Sequence, residues 1–187
     1  MNLKFCVVKD EYLSYLQVFE PKVMNPSTSY TATSATKFVI GALIEISGFS
    51  YYAQLSSVKP NQVSVVDPDK LNPDYKEFAF PIRGKVKQGN KHVNVIKALI
   101  RLGFMFPVDA SDFTELDFNS LQQPYKDLVL EEYRYCKKNI EEIRLQALKI
   151  YQKRVCSAPT PHTIKQCCDF KLLETKLAER VAGLGYR

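Results

Sequence analysis

The sequence predicts an α+β fold, in which a β-sheet from the N-terminal half is covered by helices from the C-terminal half. Three observations predict it. Short β-branched and aromatic runs bounded by turn residues fill residues 3–100. Apolar residues then recur at spacings of three and four after Pro124, and no internal repeat links the two halves. With 187 residues, 45% hydrophobic and 12% aromatic, the chain is long enough to bury a core and too apolar for disorder, so one compact domain over residues 1–187 is expected.

The elements follow in order. "LKFCVV" (Leu3 to Val8) is a β-run, and Asp10 stands at the N-cap position of a helix carrying Tyr12, Leu13, Leu16 and Phe19 at helical spacing. From Met24 to Thr36 the chain has hydroxyl residues and Tyr30 but no apolar period, which predicts a polar surface loop able to reach a ligand. "KFVIGALIEI" and "SYYAQLSS" flank "SGFS" as the arms of a hairpin, the first nearly continuous in apolar residues and so a central strand. "QVSVV" (Gln62 to Val66), "EFAFPI" (Glu77 to Ile82) and "VNVIKALI" (Val93 to Ile100) read as further β-runs, the last equally able to start a helix. Between the last two, "RGKVKQGNK" reads as an exposed, mobile basic loop. From Pro124 to Val155 one long helix is expected, or two joined near Lys138 and Asn139. "CSAPTPHT" is a loop because Pro159 and Pro161 interrupt a helix, and a closing helix runs from Asp169 to a stop at Gly183.

Composition narrows the function. The formal charge of +6 and pI near 9.0 suit a polyanionic partner without proving one. "MNLKFCVVKDEY" becomes charged too soon for a signal peptide, and no apolar run has membrane-spanning length, so a soluble cytoplasmic protein is expected. Five cysteines with no C-x-x-C pair, and only His92 and His162 beside them, predict reduced thiols and no zinc site. No H-E-x-x-H, Walker A or G-x-G-x-x-G motif is present, so no metal and no cofactor is expected.

What remains is a cluster of hydroxyls and ammonium groups: Tyr30, Lys37, Ser56, Ser57 and Lys59. Lys37 opens one hairpin arm while Ser56, Ser57 and Lys59 close the other, so antiparallel pairing returns them to one end of the sheet. Two lysines on that edge repel, which eases proton transfer from an ammonium. Spacing by itself still favours the plain reading that strand ends are polar because they meet solvent. Arg83, Lys85, Lys87 and Lys91 form a second candidate, a phosphate-gripping stretch backed by tyrosines that stack on bases, against an equal reading as a solvated loop.

Taken together, "KFCVVKDEYLSYLQVFEPKV", "TKFVIGALIEISGFSYYAQLSSVK", "GFMFPV", "PYKDLVLEEYRYCKKN" and "CDFKLLETKL" occur in the order seen in the ToxN/AbiQ family, which the chain resembles over most of its length. The family comprises protein toxins of type III toxin-antitoxin and abortive-infection systems. The resemblance implies a metal-independent endoribonuclease with a twisted antiparallel, partly barrel-like sheet similar to that of the Kid and MazF toxins. It implies as partner a small repeat RNA, folded as a pseudoknot and cut by the toxin from its own precursor, in a closed heteromeric protein-RNA assembly. By position, the family's hydroxyl pair falls on Ser56 and Ser57, its following lysine on Lys59, its strand-opening lysine on Lys37, and its loop tyrosine on Tyr30 with an insertion before Lys37.

The implied chemistry needs only these residue types. A 2′-hydroxyl attacks the adjacent phosphorus once it is deprotonated and aligned, while charge on the phosphoryl oxygens is stabilised and the 5′-oxygen is protonated. Lys37 or Lys59 would stabilise the phosphorane, Ser56 and Ser57 would hydrogen-bond the phosphate, and a lysine or Tyr30 would move the proton. A non-catalytic RNA-binding protein would explain the charge without needing the serines. A DNA-binding regulator would need a basic helix face, which the mixed-charge helix after Pro124 lacks.

Overall fold

The first β-run forms β1 (Lys4–Val8), which buries Phe5, Cys6 and Val8. Lys9 rather than Asp10 is the N-cap of α1 (Asp10–Gln17). Asp10 and Glu11 instead occupy the first turn, where their charge suits the positive end of the helix dipole. Tyr12, Leu13 and Leu16 face the core, whereas Phe19 lies beyond the helix and is partly exposed. The computed structural model describes residues 3–26, 38–156 and 158–184.

β2 (Val39–Ile46) and β3 (Phe49–Ser57) make the expected hairpin. Ser47 and Gly48 both have positive φ, 53° and 82°, the pair of left-handed residues whose twist matches the flanking strands. Gly41 serves close approach, since a Cβ there would lie 2.3 Å from the ring of Tyr52. The β-run expected at Gln62 to Val66 is absent. Pro60 starts a 3-10 turn that includes Gln62, and Val65 and Val66 stand 99% and 93% exposed with no strand to cover them. A short helix, α2 (Pro73–Lys76), follows.

β4 (Phe80–Gln88) pairs with β5 (Lys91–Ile100) from Phe80 opposite Ile100 out to Gln88 opposite Lys91. The basic stretch is thus a β-ribbon, not a mobile loop. Exposed Arg83, Lys85 and Lys87 alternate with half-buried Gly84 and Val86, a period of two hidden in sequence because the outward face is cationic rather than merely polar. β6 (Phe106–Pro107) and β7 (Phe113–Glu115) complete a seven-stranded sheet in the order β4-β5-β3-β2-β1-β7, with β6 beside β3 and every pairing antiparallel.

Helices α3 (Tyr125–Lys138) and α4 (Ile140–Val155) break at Asn139, whose side-chain amide donates to the Tyr135 carbonyl at 2.7 Å. The expected loop before the last helix contains α5 (Pro161–Gln166), because Pro161 sits at the first helical position and the Thr160 hydroxyl accepts from the Thr163 amide. α6 (Phe170–Leu184) starts after Asp169, whose carboxylate accepts from the Leu172 amide, and it runs through Gly183 instead of stopping there. Its Glu174 is buried and fully engaged. Tyr51 and Tyr151 donate to it at 2.7 Å each and Lys171 at 2.8 Å, tying α6 to β3 and α4. Burial raises the Tyr51 phenol far above its ordinary range, with the Glu174 hydrogen bond adding to that. Cys6, Cys136, Cys167 and Cys168 are buried thiols and Cys156 is exposed.

Candidate active site

β3 changes neighbours along its length, and the site lies where it does. Its first half pairs with β2, the last matched pair being Val39 with Gln54. Beyond that point Leu55, Ser56 and Ser57 pair on the other side with Ile100, Leu99 and Ala98 of β5. A cleft of about 650 Å³ opens beside this end of β3. Its floor is Gln54 to Ser57 with Lys59, one wall is Arg101 and Phe104 after β5, and another is Tyr125, Leu128 and Glu132 of α3. Lys22 to Asn25 and Phe38 close the rim.

Three of the five predicted cluster residues therefore line one cleft, while Tyr30 and Lys37 lie outside the described residues. Ser56 and Ser57, being adjacent in a strand, face opposite sides of the sheet. Leu99, opposite Ser56, belongs to a small hydrophobic cluster with Ala79 and Ile96, and Ala98, opposite Ser57, belongs to the main core. Ser57 is exposed. The Ser56 hydroxyl is buried and has no hydrogen-bond partner among the described residues, a costly state for a polar atom. Lys59 is exposed at its side chain but pinned at its backbone. Its amide donates to the Gln62 side chain at 2.8 Å, its carbonyl accepts from the Gln62 amide at 2.9 Å, and Gln62 itself is buried. The misread "QVSVV" run is thus the anchor that holds a candidate lysine at the cleft.

Two cleft residues escaped the sequence reading. Arg101 is half-buried with its guanidinium 4.3 Å from the Phe104 ring centroid, and its backbone amide donates to the Gln54 carbonyl at 2.9 Å. Among the described residues no carboxylate forms an ion pair with it. Burial pulls its pKa down, yet a guanidinium stays charged, so Arg101 brings a cation suited to a phosphate. Glu132 is 7% exposed on the cleft wall, and no described residue donates a hydrogen bond to it. Burial first, then the neighbouring Glu131 charge, raise its carboxyl from 4.5 to about 7, and Lys97 opposes them. The signal was available: Val129, Glu132 and Cys136 form one buried stripe of α3, and a charge inside an apolar stripe is an anomaly.

The second candidate is split by the register. Arg83, Lys85 and Lys87 alternate along one face of β4, with Asn94 opposite Lys85 and His92 opposite Lys87. Lys91 pairs with Gln88 and so falls on the other face. Arg83 is held by Asp69 at 3.2 Å. Among the described residues there is no group of three or more His, Cys, Asp or Glu side chains that could hold a metal ion, and no helix long and apolar enough to cross a membrane.

The model of a family described as toxin ToxN of type III toxin-antitoxin systems matches residues 4–178. A curated relative, the endoribonuclease AbiQ of Lactococcus lactis, is 29% identical over 94% of this chain and 88% of its own. A solved structure of AbiQ, described as a lactococcal anti-phage endoribonuclease of a type III system, superposes with a TM-score of 0.75 at 25% identity, over 97% of this chain and 99% of that one. A second structure, from work on selective toxin inhibition by a non-coding RNA pseudoknot, shares the fold with a TM-score of 0.71 at 22% identity, over 96% and 98%.

Proposed function

We propose that this chain, which belongs to the ToxN toxin family of type III toxin-antitoxin systems, is a cytoplasmic, metal-independent endoribonuclease inhibited by a repeat RNA. The observation that carries the reading is the cleft at the end of β3, where Ser57, Lys59 and Arg101 gather hydroxyl and cationic groups around a space of nucleotide scale. A phosphodiester seated there meets donors for its non-bridging oxygens, and those donors are worth most where charge grows in the transition state. In-line attack by the 2′-hydroxyl then needs only alignment and proton transfer, and leaves a 2′,3′-cyclic phosphate and a 5′-hydroxyl. Ser56, which also lines the cleft and whose hydroxyl has no partner among the described residues, is the second hydroxyl candidate for the phosphate. Lys37 and Tyr30 remain candidates for phosphorane stabilisation and proton movement.

The partner in this reading is a repeat RNA folded as a pseudoknot, cut from its precursor by the toxin and held in a closed protein-RNA assembly. Arg83, Lys85 and Lys87, presented along one face of the ribbon, and Lys91 near its tip supply sequence-independent phosphate contacts. Incubating the purified chain with RNA in EDTA tests the proposal. Cleavage with cyclic-phosphate ends is expected, and Ser57→Ala should slow it by roughly 10²-fold or more. An intact RNA ladder, or an unimpaired Ser57→Ala protein, would overturn it in favour of non-catalytic RNA binding.

A further inference from the structure

The structure assigns to Glu132 the part of general base, the group that takes the 2′-hydroxyl proton. The inference rests on the ribonuclease reading above, and begins with what the cleft contains. Among its described lining residues Lys22, Lys59 and Arg101 are the cations, and there is no histidine and no carboxyl but Glu132. A cation must lose its own proton before it can accept another, and a guanidinium does not lose it. Serine hydroxyls are weaker acceptors still. Glu132 alone among these residues offers an oxygen that is basic without first leaving a cationic state.

Its carboxylate opens on the cleft rather than on protein donors. A carboxyl that is 7% exposed normally has donors around it, as Glu174 does, and among the described residues Glu132 has none. Among the described residues the charges that act on it are Glu131 on its own helix and Lys97 on β5, and Lys97 is engaged by both oxygens of Glu131 at 2.8 Å. Tyr125 and Cys136 share the α3 face with Glu132, and both feel its charge. An apolar side chain would fill the same position at lower cost. The arrangement makes sense once a ligand supplies the donor. It also excludes the phosphate as that donor, because a phosphate repels a carboxylate. A 2′-hydroxyl fits, provided the phosphate lies toward Ser57, Lys59 and Arg101 and the ribose toward α3.

The step balances. The 2′-hydroxyl proton passes to the Glu132 carboxylate as the 2′-oxygen bonds to phosphorus. The bond from phosphorus to the 5′-oxygen breaks, and that oxygen takes a proton from the Lys59 ammonium. Exchange with water then restores both groups. A carboxyl raised toward neutrality, as burial raises this one, has the basicity that proton transfer near pH 7 favours.

The test is single-turnover cleavage of a short RNA from pH 5 to 9 by wild type, Glu132→Gln, Glu132→Asp and Glu132→Ala. Glu132→Gln should lower the rate by about 10²-fold or more and abolish the fall in rate on the acid side, with RNA affinity changed less than about threefold. Glu132→Asp should be slow but keep the acid limb, and acetate should partly restore Glu132→Ala. A Glu132→Gln enzyme with wild-type rate and pH profile would overturn the inference, as would a loss of activity fully matched by loss of RNA binding. If Glu132→Gln does not fold, the acid limb of Glu132→Asp and the acetate response of Glu132→Ala decide. Should the wild type itself leave RNA intact, the ribonuclease reading fails, and not merely this assignment.

Discussion

Glu174 and Glu132 are buried to almost the same extent, 6% and 7% exposed, and both sit on helices of the C-terminal half. Glu174 is surrounded by two tyrosine hydroxyls and a lysine, so its charge is distributed over three donors and helps fix α6 against β3 and α4. Glu132 has no such donors among the described residues and faces the cleft. The difference separates two uses of one side chain. A carboxylate ringed by protein donors organises a core, and one that opens on a cleft with no donor among the described residues is left for a ligand to meet.

Substitutions should break this comparison unequally. The largest effect on stability belongs to Glu174→Ala, which strands the Tyr51 and Tyr151 hydroxyls as well as removing the carboxylate. It should cost about 3–5 kcal/mol, a fall of roughly 10 °C in melting temperature by calorimetry. Next comes pH. Because folding raises the Glu132 carboxyl from 4.5 to about 7, its contribution to stability is complete below pH 4.5 and is lost as pH rises through 7. Urea unfolding should show at most about 3 kcal/mol lost from this source between pH 5 and 8, and Glu132→Gln should remove that slope. A smaller gain is expected for Glu132→Leu, which should match or exceed wild-type stability by about 1 kcal/mol at pH 8 while lacking activity. The smallest effect concerns the ribbon. Lys85→Ala and Lys87→Ala should each reduce the log-log salt dependence of RNA binding by roughly 0.7 without altering the melting temperature.

The sequence made the fold readable where local chemistry agreed with the final structure. The Ser47-Gly48 turn announced the hairpin, and Asn139 marked the place where one long helix could become two, because each depends on residues next to one another. The ribbon was hidden by its own cations, since alternation is recognised by an apolar face and Val86, Val93 and Val95 are only half-buried. "QVSVV" misled in the opposite way, offering β-branched residues to a segment that no strand pairs with beyond a single bridge from Val63 to Leu71. At the candidate site, the sequence placed Ser57 and Lys59 at a strand end, and both line the cleft, while Lys37 at the other hairpin end lies outside the described residues. Arg101 and Glu132 reach the cleft from 44 and 75 residues further along than Ser57, and only the tertiary fold brings those segments together. Glu132 at least left a trace, a charge in the buried stripe of α3. Arg101, at the end of an apolar run, left none.

The neighbour exchange of β3 has a consequence for how this chain tolerates change. Because successive side chains alternate between faces, the number of residues from Gly48 to Ser57 sets which of the two cleft-lining serines is exposed and which has its hydroxyl buried. Odd and even lengths are therefore different proteins. A one-residue insertion after the turn would trade Ser57 for its neighbour while conserving every residue type, whereas a two-residue insertion would shift the strand and preserve its parity. On the role proposed for Ser57, activity is protected by counting as much as by composition.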